Sequence, residues 1–358
     1  MRVLVAMSGG VDSSVAAALL VDAGHEVTGA TMKLWGGAGD SGCCSVADVE
    51  DARRVAQQLG IAHHVFNFTD DFERDVVGPY VGEHARGRTP NPCIECNRHL
   101  KFDRFLRRAE QLGFDAIATG HHARVARTGE GRWELRRGVD LAKDQSYVLS
   151  MLDQAALART MLPVGELTKG EVRRIAASRS LRTADKPDSQ DVCFVLGTKG
   201  GREAFLGARI PLRPGTLVDR SGRRVGEVDA VELVTVGQRR GLGGGGGPRL
   251  YALDVDTSAA RVVVGADADL LDAAVGVSRL TWVDEPLAPP APVLLQVSAH
   301  GEPHEATLVG PSTFAWSVPR RRVAPGQTVA VYVGERVVGA GIAESNAALN
   351  RSAAPSPL

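Results

Sequence analysis

Residues 2–24 read RVLVAMSGGVDSSVAAALLVDAG, and the fold follows from them. The apolar run 2–7 reads as a buried strand, Ser8-Gly9-Gly10 as a turn, and 13–23 as an apolar helix stopped by Gly24. The same alternation continues outward. A second strand is expected over 27–35. Ser45, with Asp48 three residues on, caps a helix over 46–59 that ends at Gly60. A third strand is expected over 64–68, helices over 71–86 and 96–112, and a fourth strand over 116–125. Strands and helices alternating at this length predict an α/β fold with a doubly wound parallel sheet, whose ligands sit at the carboxyl ends of the strands.

Further along, 144–180 reads as mostly helical, broken at Pro163-Val164-Gly165. After about residue 205 the texture changes. Short Val- and Leu-rich runs at 215–218, 231–235, 249–254 and 261–264, separated by Gly, Pro and Asp, read as a small β domain. Residues 275–342, with the Pro-rich stretch 285–292 inside them, read as a β barrel. The expected domains are 1–203, 204–272 and 273–346, with a frayed tail over 347–358. Five consecutive glycines, 243–247, read as a mobile loop. No internal repeat is found.

Composition sets the class. The chain has 358 residues, 44% of them hydrophobic and 23% charged, enough for real cores and unlike a disordered protein. Its 42 basic residues balance 42 acidic ones, which excludes a basic coat on DNA but not a local nucleic-acid footprint. Only six of the 42 are Lys, so the basic work falls to Arg, the better bidentate phosphate ligand. There is no apolar run long enough for a membrane span, and the N-terminus lacks the features of a signal peptide. Five cysteines, an odd number, point to a reducing cytoplasm and to chemical rather than structural thiols.

The string Ser8-Gly9-Gly10-Val11-Asp12-Ser13-Ser14 lies directly between the first strand and the first helix. Its glycines let backbone N–H groups point inward, and the helix N-terminus adds its dipole. That describes a pyrophosphate cradle, with Asp12 able to hold Mg²⁺. The spacing is neither Walker A nor the dinucleotide GxGxxG. The plainer alternative is a Gly-rich turn with an Asp or Ser cap. SGGVDSS resembles the PP-loop of the ATP pyrophosphatases, which cleave ATP between its α and β phosphates and adenylate a substrate oxygen. The resemblance implies ATP contacts at Ala6, Met7, Ser8, Gly9, Gly10, Val11, Asp12 and Ser13. It adds Met32, at the end of the second strand, and Gly120, at the end of the fourth. Core packing is the plainer reading of Met32.

The other constellation is thiol-based. Thr89-Pro90-Asn91-Pro92-Cys93-Ile94-Glu95-Cys96 opens the basic helix, and Asp188-Ser189-Gln190-Asp191-Val192-Cys193 follows about a hundred residues later. A thiol in the first turn of a helix, beside Arg98 and Lys101, suits a nucleophile. Three alternatives stay open: half of a zinc site with His99, a dithiol redox pair, or an iron–sulfur cluster on Cys93, Cys96 and Cys193. Cys43 and Cys44 receive no role.

Seven motifs in order, SGGVDSS, RTPNPCIECNRHLKF, ATGHHAR, KDQSY, DSQDVCF, TVGQRRGLG and PGQTV, resemble the bacterial tRNA-specific 2-thiouridylases over nearly the whole chain. The resemblance implies ATP-dependent thiolation of C2 of wobble uridine 34 in tRNAs for Lys, Glu and Gln. Cys193 matches the family's persulfide carrier and Cys96 its nucleophilic partner, the two joined by a disulfide after turnover. Asn91, Pro92 and Cys93 match the segment at the target base, although a prominent branch of the family has Asp where this chain has Cys93. His121, Lys143, Asp144, Gln145 and Gln327 match tRNA contacts; a solvated polar surface is their plainer reading. The aromatic and basic residues that many members carry near 298–301 are absent here. The family also implies a cysteine desulfurase or another persulfide donor as partner. Locally, residues 86–108 carry seven basic side chains against Glu95 and Asp103, and Arg239-Arg240 and Arg320-Arg321-Arg322 add two more patches.

Overall fold

β1 (Arg2–Ala6) is buried from Val3 onward, and α1 (Val11–Asp22) is buried on nearly every side. A helix apolar all round belongs in a core rather than on a surface, and the segment 2–24 therefore forms the centre of its unit. The computed structural model describes residues 1–35, 45–188, 192–196, 200–242 and 249–345. Cys43, Cys44, the glycine run and the tail lie outside the described residues. Two compact units result: one comprises 1–77, 92–202 and 335–338, the other 78–91, 203–334 and the chain from 339 onward.

In the first unit, β2 (Glu26–Lys33), β3 (Ala62–Asn67) and β4 (Ala116–Ala118) join β1 in a parallel sheet. The expected fourth strand, 116–125, breaks in two. β4 stops at Ala118, and β5 (Ala123–Arg127) turns away into an antiparallel hairpin with β6 (Trp133–Arg137). The break falls at Gly120, where the chain must clear the start of α1. The sheet is closed by a two-residue strand, β7 (Thr160–Met161), inside a stretch expected to be helical. The remainder of 144–180 is a turn of 3₁₀ helix at Ser146–Leu149 and two helices, Gln154–Ala158 and Lys169–Ser178. Strand order is β3-β2-β1-β4-β7, so the direction of winding reverses between β1 and β4. In open α/β sheets the ligand crevice lies at that reversal. α2 (Val46–Gln58) covers the sheet beyond β2, and Ser45 and Asp48 form the expected capping box.

In the second unit, β8 (Gly215–Val218), β9 (Arg224–Val228), β10 (Tyr251–Asp256) and β11 (Arg261–Gly265) form a four-stranded sheet. It packs around Leu217, Val228, Val231, Ala252 and Val262. The expected strand at 231–235 is instead a 3₁₀ turn, Val231–Leu233. Glu232 is buried there and accepts from the Arg213 guanidinium at 2.8 Å and its backbone N–H at 2.9 Å, which holds the segment in a turn. The barrel consists of β12 (Leu271–Trp282), β13 (Ala291–Gln296), β14 (His304–Gly310), β15 (Thr313–Arg321), β16 (Thr328–Val333) and β17 (Arg336–Ala343). The order β12-β15-β14-β13-β16-β17 closes as β17 pairs back to β12. Closure removes the sheet edges that would otherwise invite pairing with other chains.

Candidate active site

The loop after β1 is held open by contacts that only glycine permits. Gly9 adopts φ +71°, and a Cβ there would lie 2.3 Å from the Asp48 carbonyl oxygen at the start of α2. Gly120, from the end of β4, abuts α1 so closely that a Cβ would stand 2.5 Å from the Ser13 backbone nitrogen. Side chains tie the loop down. Ser13 Oγ accepts from the Ser8 backbone N–H at 3.2 Å and donates to the Gly10 carbonyl at 3.1 Å, and Ser14 Oγ donates to that carbonyl at 2.8 Å. Gly10 is the N-cap of α1 and contributes no side-chain cap, so the first amides of α1 point into the crevice at the winding reversal. Of the residues the PP-loop resemblance names, Ala6, Met7, Val11 and Ser13 are buried structural members of this cradle, whereas Ser8 is exposed and Asp12 half-buried. Met32 is buried at the end of β2, opposite Phe66 of β3.

Charge organises the same place. Asp12 accepts from Lys169 Nζ at 2.8 Å on both carboxylate oxygens, and His122 Nε2 lies 3.1 Å from Oδ1. Lys169 also reaches Asp188 at 2.8 Å, and Asp188 further holds Lys143 at 2.8 Å and Arg173 at 2.9 Å. Burial pushes both carboxyls up, but hydrogen bonds from His122 and Lys169 to Asp12, and from Lys143 and Lys169 to Asp188, outweigh it. Asp12 lies below the ordinary carboxylate range, and Asp188 falls to about 2. Sequence reading missed Lys169 and Asp188 as site residues. One signal was available: in a chain with six lysines among 42 basic residues, Lys143, Lys169 and Lys186 all come to this crevice.

A pH dependence follows. A carboxyl depressed in the folded state stabilises it above the unfolded value, near 4, and the contribution is lost as pH falls through the folded value. We expect urea midpoints to hold from pH 7 to roughly 4.5 and to fall between about 4 and 2, with Asp188→Asn flattening the fall. Identical pH curves for the two proteins would contradict this account of Asp188.

The three thiols all belong to the first unit. A continuous helix over 92–111 begins with Pro92–Glu95, passes through a π-helical stretch at Cys96–Arg104 and ends at Gln111. π-Helical turns are rare and concentrate at functional sites. Cys93 is exposed; Cys96 and Cys193 are half-buried. Phe194, one residue past Cys193, is 2% exposed and packs on Phe72 at 5.6 Å and Trp35 at 6.1 Å between ring centroids. Phe72 belongs to Thr69–Phe72, which packs against the Cys96–Arg104 stretch. The Cys193 and Cys96 segments therefore flank one aromatic cluster.

The resemblance-implied tRNA contacts prove to be engaged within the chain. Asp144 accepts from the backbone N–H groups of Gly138 and Ser146 at 3.0 Å, and Gln145 exchanges hydrogen bonds with the His122 backbone at 2.8 and 2.9 Å. His121 is buried beside Phe102 with Nδ1 2.7 Å from Thr119 Oγ1; burial, then Lys101 and His122, push its pKa well down, so the ring is neutral at pH 7. In the second unit Gln327 Nε2 donates to the Thr89 carbonyl at 2.6 Å, while the Thr89 N–H donates to the Pro325 carbonyl at 2.7 Å. Gln327 thus fixes the segment that leads to Asn91. The Arg320–Arg322 patch is largely neutralised: Arg321 pairs with Asp267, and Arg322 bridges to Asp272 at 2.9 and 3.2 Å. Arg86, Arg88, Arg104 and Arg107 are also paired, leaving Arg98 and Lys101 beside Cys96 without an ion pair among the described residues.

Among the described residues, no three His, Cys, Asp or Glu side chains lie close enough to hold a metal ion. The carboxylate of Asp12 suits Mg²⁺, whose other ligands in nucleotide sites are usually phosphate and water.

Comparison with known proteins agrees with this geometry. Residues 1–197 match the family described as the tRNA methyl transferase HUP domain, 203–266 the tRNA methyl transferase PRC-barrel domain, and 274–343 the aminomethyltransferase beta-barrel domain. The tRNA-specific 2-thiouridylase MnmA of Chloroflexus aurantiacus is 48% identical over 353 residues, covering 95% of this chain and 97% of that protein. That of Acidothermus cellulolyticus is 46% identical over 352 residues, covering 95% and 96%. Among solved structures, the U34-tRNA thiolase NcsA of Methanococcus maripaludis covers 54% of this chain and 61% of its own at 17% identity and a TM-score of 0.37, too distant to carry an argument. At the identities and coverage of the 2-thiouridylases, the chain belongs to the tRNA-specific 2-thiouridylase (MnmA) family of tRNA-thiolating enzymes.

Proposed function

We propose that the enzyme adenylates O2 of wobble uridine 34 in tRNAs for Lys, Glu and Gln, and then replaces that oxygen with sulfur from a persulfide on Cys193, releasing AMP and pyrophosphate. The observation that supports the reading is the glycine cradle at the winding reversal, with Lys169 joining its Asp12 to Asp188. A uracil C2 carbonyl is amide-like and has no leaving group, and adenylation makes its oxygen leave as AMP. Ser8, Gly9, Gly10, Ser13 and the amides of α1 would bind the phosphates, with Mg²⁺ arriving beside Asp12. Met32 and Gly120 would border the nucleotide.

The sulfur step balances with two thiols. The terminal sulfur of the Cys193 persulfide attacks C2, the C–O bond to AMP breaks, and the base is left joined to Cys193 through a disulfide. The Cys96 thiolate then attacks the Cys193 sulfur. A Cys96–Cys193 disulfide forms and the 2-thio group leaves with the electron pair. A dithiol reductant resets the enzyme, and a cysteine desulfurase or another persulfide donor reloads Cys193, as suits a reducing cytoplasm. Asn91, Pro92 and Cys93 would border the splayed base, and Arg98 and Lys101 would meet the phosphates of the anticodon stem-loop. His121, Lys143, Asp144, Gln145 and Gln327 would contact the tRNA, as the family resemblance implies, besides holding those elements in place. The test combines tRNA-dependent AMP formation by the purified protein with mass spectrometry of tRNA nucleosides from cells lacking it. Unchanged 2-thiouridine in those cells would refute the proposal.

A further inference from the structure

Lys169 occupies a position that local rules disfavour. It is the first residue of the Lys169–Ser178 helix, where the helix dipole is positive and a cation is destabilising. It is also only 8% exposed, and removing an ammonium from water is unfavourable unless it is paired. Its partners explain the placement: two oxygens of Asp12 and one of Asp188, all at 2.8 Å. Asp12 lies in the phosphate loop. Asp188 lies five positions before Cys193.

The neighbouring residues repeat the connection. Lys186 reaches Asp48 at 2.6 Å and Asp51 at 2.8 Å on α2, the helix whose first turn packs against Gly9. Arg173 donates to the carbonyls of Ala184 and Lys186 at 2.8 and 3.2 Å as well as to Asp188. The chain approaching Cys193 is thus tied to both walls of the nucleotide crevice, and Lys169 is the tie that also touches the loop. We infer that Lys169 is a positioning residue that couples triphosphate occupancy of the loop to the placement of the Cys193 segment. The inference rests on the reading that the loop binds ATP.

The physical reason is competition for one compact cation. A bound triphosphate brings several negative charges beside Asp12, and Lys is a flexible point charge with three donors, able to exchange one anion for another. Drawn to phosphate, Lys169 releases Asp188, which keeps Lys143 and Arg173 but loses its link to the loop. The tie between the loop and Asp188 is then broken only when nucleotide is present. Sulfur delivery is thereby ordered after activation of the base, and the persulfide is not spent on an unactivated carbonyl.

The test follows Cys193 directly. Peptide mass spectrometry would give its iodoacetamide alkylation rate in the full chain, with Cys93 and Cys96 followed in the same sample, with and without α,β-methylene-ATP. Equilibrium dialysis would measure binding of that analogue separately. In the wild type the analogue is expected to raise the Cys193 rate about fivefold, and in Lys169→Met the change is expected to be less than about twofold. Asp188→Asn, which cuts the link away from the loop, is expected to show the raised rate with or without nucleotide; it decides the matter should Lys169→Met fail to fold. Bound analogue with no change at Cys193, or a wild-type response in Asp188→Asn, overturns the inference. No analogue bound to the wild type overturns the reading of the loop, and the inference with it.

Discussion

Cys193→Ser is expected to lower 2-thiouridine formation at least about a thousandfold while tRNA-dependent AMP formation continues. In the proposed mechanism the two half-reactions use different groups. AMP formation would need the cradle of Ser8–Ser13 and Gly120, whereas sulfur delivery would need a side chain that can carry a persulfide, which a hydroxyl cannot. The substitution is close to isosteric, and the neighbouring Phe194 holds the segment through Phe72 and Trp35. Folding should therefore survive, and far-UV circular dichroism would check it. Cys96→Ser is expected to differ in kind: the persulfide still attacks, but nothing releases the base. A covalent enzyme–tRNA adduct should accumulate and disperse on adding dithiothreitol. Product from Cys193→Ser with a persulfide donor present would disprove the two-thiol sequence.

What the sequence made legible was local. Strand, glycine turn and apolar helix in 2–24 carry their instructions within a few residues, and so does the capping box at Ser45 and Asp48. The reading failed where a partner far along the chain decides the outcome. β4 ends early because Gly120 must clear Ser13, a contact over more than a hundred residues. The apolar run at 231–235 turns because Glu232 is drawn inward by Arg213. β7 is two residues long and exists only because β4 offers it an edge.

The same limit applies to charge. Arg320–Arg322 reads as a basic patch until Asp267 and Asp272 are brought against it, from about 50 residues away. Lys169 escaped notice because its partner Asp12 lies 157 positions earlier. Only the scarcity of Lys in this chain hinted at it. Conversely, the seven motifs pointed to the correct family because their order spans the whole chain, which no local competition can disguise.

Asp12→Ala is expected to reduce AMP formation at least about a thousandfold and to lower the stability of the first unit by about 1–3 kcal/mol. The stability term comes from the donors left behind. His122 is 3% exposed and its Nδ1 has no hydrogen-bond partner among the described residues, so loss of Asp12 leaves neither ring nitrogen bonded there. Lys169 keeps Asp188, which is why the cost stays below the 3–5 kcal/mol typical when a buried ion loses its only partner. Asp12→Asn should be milder in stability, since its side-chain oxygen still accepts one hydrogen bond, yet nearly as inactive because it cannot serve Mg²⁺ or balance Lys169. Adding Lys169→Met to Asp12→Ala removes the surplus charge and should restore part of the stability while activity stays absent. Urea denaturation of the two single variants and the double variant at pH 7 gives the coupling as a double-mutant cycle. Additive losses would mean the ion pair does not hold this crevice together, and AMP formation by the double variant would mean that the loop does not bind the nucleotide.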